Sequence, residues 1–238
     1  ASVYHWRYNI PVLARKFNVF AIDLLGFGLS DKPIIDYTAD IWRDQVLDFA
    51  KEVVLPFSHN QPCVVAGNSL GGFTALYAAS DSRAVNEQLV NGCILLNAAG
   101  RFRPVDGNVE EKPQSAIVRK ITEVLQRFVI GLSFIYTKQP LRIEQVLRQV
   151  YPVNQSAVDS ELVASIQHPA QDDNAAEVFY RVISRNGAGP SVFVDDLLAA
   201  LKVPLLLLWG IQDPWIRPKA AERIQELFPG AQRVDVLA

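Results

Sequence analysis

The sequence predicts an α/β fold: a mostly parallel sheet with helices on both faces and a helical insertion between two of its strands. Short apolar runs recur along the chain, too short for helices and without the polar alternation of a half-exposed strand. Amphipathic or small-residue helical stretches separate them, as a parallel sheet covered on both sides requires. Between about residues 101 and 202 this rhythm stops, and helical periodicity continues with no convincing buried strand.

The first run, residues 17–23, is apolar and ends at Asp23, ahead of Gly26 and Gly28. It reads as a buried parallel strand entering a loop. Thr38 can cap a helix whose apolar face is Ile41, Trp42, Val46, Phe49 and Val53, at spacings of three and four. Pro56 and the Ser58-His59-Asn60 cluster close it. Residues 63–67 form the next strand, and 70–79 a helix of mainly small residues. Residues 92–97 and 205–210 repeat the buried-strand pattern, and 233–237 form a last, more alternating strand. Pro218 opens a helix through Leu227, which Phe228-Pro229-Gly230 stops. Within the insertion, helices are expected at about 117–135 and 141–150. Residues 1–100 and 203–238 are thus read as the core, and 101–202 as a helical cap.

At 238 residues and 50% hydrophobic composition, the chain can bury a large core. A net charge of -2 gives no electrostatic reason to expect nucleic acid or an anionic membrane as partner. No apolar stretch approaches the roughly 20 residues of a membrane span. Cys63 and Cys93 both sit in strand-like runs and are expected as buried reduced thiols rather than a disulfide. No His, Cys or Asp cluster has metal-ligand spacing, so neither a metal nor an organic cofactor is expected.

The chemistry points to Gly67-Asn68-Ser69-Leu70-Gly71-Gly72. A strand, this run and then a helix form the arrangement of a nucleophile elbow. The tight turn forces a strained backbone on Ser69 and leaves little room for side chains at Gly67 and Gly71. It lifts the Ser69 hydroxyl above the carboxyl end of the sheet and aims the free N–H groups of the first helical turn at a reacting carbonyl. The backbone N–H of Leu70 is then an oxyanion donor, and Gly72 lets the helix approach the sheet. The pair Gly26 and Gly28 lacks the third glycine of a dinucleotide fingerprint and reads as loop-shaping.

Four landmarks occur in order: Trp6-Arg7 before Asn9-Ile10-Pro11, Asp23-Leu24-Leu25-Gly26-Phe27-Gly28-Leu29-Ser30, the Ser69 run, and Leu208-Trp209-Gly210-Ile211-Gln212-Asp213-Pro214. Together they resemble the α/β-hydrolase superfamily, in the branch of haloalkane dehalogenases, epoxide hydrolases, carbon–carbon bond hydrolases and pheophytinase-like proteins. The resemblance implies that Asp213, after the strand ending at Trp209-Gly210, is the acid of a catalytic triad, and that the insertion is the family's cap. Dehalogenases and epoxide hydrolases of this fold use an Asp nucleophile, whereas Ser69 suits attack on an acyl carbon. The expected activity is serine hydrolysis, through an acyl-enzyme, of a hydrophobic carboxylic ester or related small acyl substrate. A carbon–carbon bond hydrolase and a catalytically silent binding protein are the alternatives. The likeness to plant and cyanobacterial pheophytinase-like hydrolases implies a plastid or photosynthetic source. Asp235, on the last strand, reads as a surface charge.

The family order is serine, acid, histidine. His5, His59 and His168 all precede Asp213, and none follows it. Each reads as a plain surface or loop residue. The chain contains no Met, begins at Ala1 without a signal-like segment and stops at Ala238 directly after a strand-like run. It therefore reads as a stretch truncated at both ends, inactive without its base, from an active parent.

Overall fold

In the computed structural model, residues 2–104, 116–184 and 192–237 are described, with the backbone alone at 116–125 and 128. Among these residues four strands form one sheet in the order β1-β2-β3-β4: β1 Cys63–Ser69, β2 Val90–Ala98, β3 Leu205–Gly210 and β4 Gln232–Val236. All three pairings are parallel, with Val65 opposite Cys93, Cys93 opposite Leu205, and Leu208 opposite Val234. Every strand therefore ends on the same edge of the sheet. The central strands are the most deeply buried: Leu95, Leu207 and Trp209 are each 0% exposed. Burying each of those leucines contributes about 1.5–3 kcal/mol. The thiols of Cys63 and Cys93 are both free, and burial raises the pKa of Cys93 to about 12.

A short helix α1, Asn9–Leu13, precedes α2, Ala39–Phe49, whose N-cap is Thr38. The chain continues through a π-type turn at Ala50–Val54 into α3, Leu55–Phe57, and leaves the helix before His59 and Asn60, both at positive φ. Helix α4, Leu70–Ser80, packs on β1 and β2. Its Ala78 and Ala79 are wholly buried, small enough for close contact with the sheet. Helix α5, Ser82–Asn86, is capped by the Asp81 side chain, which accepts from the Arg83 N–H. No helix among the described residues is long and apolar enough to cross a membrane.

Between β2 and β3 lie α6 Ala116–Thr137, α7 Pro140–Val150, α8 Ser160–Gln167, α9 Ala175–Ser184 and α10 Val194–Ala200. Helix α10 buries Val194, Leu197 and Leu198 in the main core, as does α11, Pro218–Leu227, through Ala221 and Ile224. Helices α7 and α8 enclose a smaller cluster of Ile143, Leu147, Val158 and Leu162, closed by Tyr4 from the N-terminal segment. Val178 of α9 meets Tyr37 and Trp42, with Leu25, Phe27 and Leu70 around them. Ion pairs tie the same surfaces together: Arg7–Asp159 at 3.0 Å, Lys32–Asp172 at 3.8 Å and Arg181–Asp36 at 3.2 Å.

The strand expected at residues 17–23 is not formed. Among the described residues no ladder reaches it, and Phe17 is 65% exposed. The Phe20 ring packs against Phe49 and Phe57 instead. At the end of the run the Asp23 carbonyl is taken by side chains, accepting from Ser30 Oγ and Gln45 Nε2. The other expected strands are present, each within two residues of its expected start.

Asp159 shows how the N-terminal segment is fastened. Its carboxylate accepts from Leu162 N–H at the head of α8 (2.7 Å) and from Arg7 Nη2 (3.0 Å). The Leu162 N–H bond, opposed by partial burial and reinforced by Arg7, holds its pKa below the ordinary 3.8. A carboxyl lowered in the folded state stabilises above its unfolded pKa and loses that contribution as the pH falls. Asp159→Asn keeps an N-capping oxygen but removes the charge. It should lower the urea midpoint at pH 7, and the gap from wild type should close in midpoints measured below pH 3.8.

Candidate active site

Ser69 ends β1 and caps α4, with φ 52° and ψ -120°. A serine at positive φ carries about 1–3 kcal/mol of strain, maintained only where its surroundings over-determine it. Here they do. A Cβ on Gly67 would lie 2.1 Å from the Gly71 carbonyl oxygen, so the chain folds back on itself within one turn. A Cβ on Gly72 would lie 2.7 Å from Ala98 Cβ, so this glycine brings α4 against β2. Gly71 differs from expectation: a Cβ there meets nothing within 4 Å. Its backbone crowds Gly67, while its own side-chain position is open.

Ser69 is half-buried, and its carbonyl accepts from the Ala99 N–H at 2.9 Å. The next residue, Leu70, occupies the first helical position, where an N–H has no intrahelical acceptor. Its side chain packs beside Trp42 and Val178, and Thr74 Oγ1 donates to its carbonyl at 3.0 Å. Asn68 is exposed, with Nδ2 donating to the Leu96 carbonyl.

Asp213 lies in the loop after β3. Its Oδ1 accepts from the N–H groups of Trp215 (2.7 Å) and Ile216 (2.9 Å), so it closes a turn through its own side chain. Both hydrogen bonds fall on one carboxylate oxygen, and Oδ2 is left to take a further donor. Asp213 leaves β3 and Ser69 leaves β1, with β2 between them. Strands two apart are separated by about 10 Å, so the two side chains need an intervening group to act together.

Each of the three histidines has surroundings of its own. His5 is tied to the N-terminal turn, its Nδ1 accepting from Ser2 N–H, and burial lowers its pKa. His59 and His168 are exposed. Asp235 pairs with Arg233 at 2.7 Å on β4. Gly26 and Gly28, at φ 87° and 53°, shape a loop around Asp23, whose Oδ2 accepts from Leu29 N–H at 2.8 Å. Among the described residues no group of three His, Cys, Asp or Glu side chains could hold a metal ion.

One residue of this edge escaped the sequence reading. Asn97, at the end of β2, is 7% exposed and has φ 36°. Its Oδ1 accepts from Gly210 N–H at 2.7 Å, and its Nδ2 donates to the carbonyls of Gly210 (3.1 Å) and Ile216 (3.2 Å). The signal available was a single polar residue interrupting an apolar run.

The profile described as "alpha/beta hydrolase fold" matches residues 1–238. The chain is 29% identical over 274 aligned residues to "Pheophytinase, chloroplastic" of Arabidopsis thaliana, covering 98% of this chain and 54% of that protein. It thus spans about half the length of that relative. Over 96 residues it is 38% identical to "2-hydroxy-6-oxo-6-(2'-aminophenyl)hexa-2,4-dienoic acid hydrolase" of Metapseudomonas resinovorans, covering 40% of this chain and 30% of that protein. Among solved structures, a serine hydrolase involved in carbazole degradation superposes with a TM-score of 0.69 at 22% identity, covering 97% of this chain and 74% of that one. A meta-cleavage product hydrolase of Pseudomonas fluorescens gives 0.68 at 21%, covering 99% and 76%. At these identities the structural likeness speaks for the fold.

The elbow glycines can be separated by substitution. Gly67→Ala and Gly72→Ala should each destabilise by about 1–3 kcal/mol, because backbone or a packed methyl must move. Gly71→Ala should be neutral or stabilising by up to about 1 kcal/mol, the helix-propensity gain at an open site. Urea unfolding of the three variants measures the contrast.

Proposed function

The chain belongs to the α/β-hydrolase fold family, and from that premise we propose that it serves a serine hydrolase working through an acyl-enzyme on a hydrophobic carboxylic ester or related acyl substrate. The observation that carries this reading is Ser69 at positive φ at the head of α4, on the same sheet edge as Asp213. In this reading Ser69 Oγ attacks the acyl carbon and loses its proton to a base, while the Leu70 N–H stabilises the oxyanion. The alcohol departs with that proton. Water, deprotonated by the same base, then releases the acid and restores Ser69.

The base is proposed to be a histidine outside residues 1–238, whose imidazole would span the gap between Ser69 and Asp213 and be oriented by the free Asp213 oxygen. The helices α6 to α9, within residues 101–202, are proposed as the cap that shapes an apolar pocket; Val178 beside Leu70 supports this. The similarity to the chloroplastic pheophytinase supports a plastid source. Carbon–carbon bond cleavage is the second reading, favoured by the 38% identity to the dienoic acid hydrolase.

Fluorophosphonate labelling of the full-length protein tests the first reading. Labelling should occur and should vanish in Ser69→Ala. Residues 1–238 alone should react slower by roughly 10²–10⁴, the usual contribution of a general base. Absence of Ser69-dependent labelling in the full-length protein would overturn the enzyme reading in favour of a silent binding protein. Turnover of a vinylogous diketone in preference to p-nitrophenyl esters would favour carbon–carbon cleavage.

A further inference from the structure

The segment 97–99 touches both halves of the site. Ala99 N–H donates to the carbonyl of Ser69, and the Asn97 amide holds the Asp213 loop. The β1–β2 register explains how. Asn68 pairs with Leu96, but Ser69 pairs with Ala98, so Asn97 is the extra residue at a bulge. The β2–β3 register ends at Leu96 opposite Leu208. Beyond that point Asn97, at φ 36°, offers its side-chain amide to Gly210 of β3 as one donor and one acceptor.

The three bonds are placed selectively. Two go to Gly210, at the start of the acid loop, through its N–H and its carbonyl. The third goes to the carbonyl of Ile216, at its end, which Trp209 Nε1 also meets at 3.2 Å. Asp213 lies between these anchors, its Oδ1 bonded to Ile216 N–H, while its own N–H donates to the Gly210 carbonyl. The loop ends are therefore fixed by one side chain that is itself one bulge away from the nucleophile. Each bond is buried or half-buried, where leaving a partner unmade costs the full desolvation of that group.

We propose that Asn97 is a positioning residue that sets the acid loop of Asp213 relative to Ser69. This rests on the serine-hydrolase reading of those two residues. Asn97 touches no substrate atom in this role. It acts through Asp213, fixing the direction in which the free carboxylate oxygen points and hence the imidazole it orients.

Asn97→Gly in the full-length protein is the informative variant. Glycine accepts positive φ without strain, so the substitution removes the amide while keeping the backbone geometry. Ester hydrolysis should fall on the order of 10²-fold in kcat with little change in KM, as expected when a catalytic group is misplaced but binding is intact. Combined with Asp213→Ala, it should cause no further loss, because the group it positions is gone. Amide hydrogen exchange at residues 211–216 should accelerate, whether or not the protein turns over esters. An unchanged kcat in Asn97→Gly, an equal loss in the Asp213→Ala background, or unchanged exchange across 211–216 would each overturn the proposal. Failure of the serine-hydrolase reading looks different: wild type shows no Ser69-dependent labelling, yet loop exchange still responds to Asn97. If Asn97→Gly does not fold, Asn97→Ser, which retains a short donor and acceptor, carries the same comparisons.

Discussion

The close approach of Gly67 to the Gly71 peptide is the constraint on which the rest of the site depends. Because no Cβ intervenes, β1 can reverse into α4 within one turn, and that reversal requires positive φ at Ser69. The cost of the strained serine is about 1–3 kcal/mol, offset by the packing of α4 across β1 and β2. With the turn in place, the first N–H groups of α4 and the Ser69 hydroxyl share one edge of the sheet. A looser turn would separate them, leaving a helix start with nothing to act on.

That edge works as a frame because every described strand runs the same way. The Ser69 turn follows β1 and the Asp213 loop follows β3, with β2 as a spacer of fixed width. The buried Leu95, Leu207 and Trp209 hold the spacer rigid, since close-packed interiors resist displacement. Rigidity below and loops above is the arrangement in which a few side chains can be held to a fraction of an ångström. The contacts of Arg7, Lys32 and Arg181 do the corresponding work for the helices between β2 and β3, linking them to the loops beside the elbow.

Much of this frame could be read directly from the sequence. The strand β3 came out with its full bounds because Leu205 to Trp209 is apolar on both faces, which only a buried parallel strand tolerates. The elbow was legible because its glycines stand between a strand and a helix. The run at 17–23 misled because apolarity signals burial rather than pairing; Phe20 satisfies it against other rings, without a ladder. Gly71 misled because a motif does not say which glycine meets the obstacle. Asn97 was invisible because its partners lie more than a hundred residues away, and only the folded sheet brings them together.

The strand β1 carries one more consequence. It stands at the end of the described sheet, paired on one side only, and its Val64 is 53% exposed. An open strand edge with apolar side chains is a template on which another extended peptide can assemble. The strand that carries Ser69 is thus one of the two edges of the described sheet, with β4 the other, so Cys63–Ser69 combines the strained turn with a row of backbone groups that another extended segment can pair.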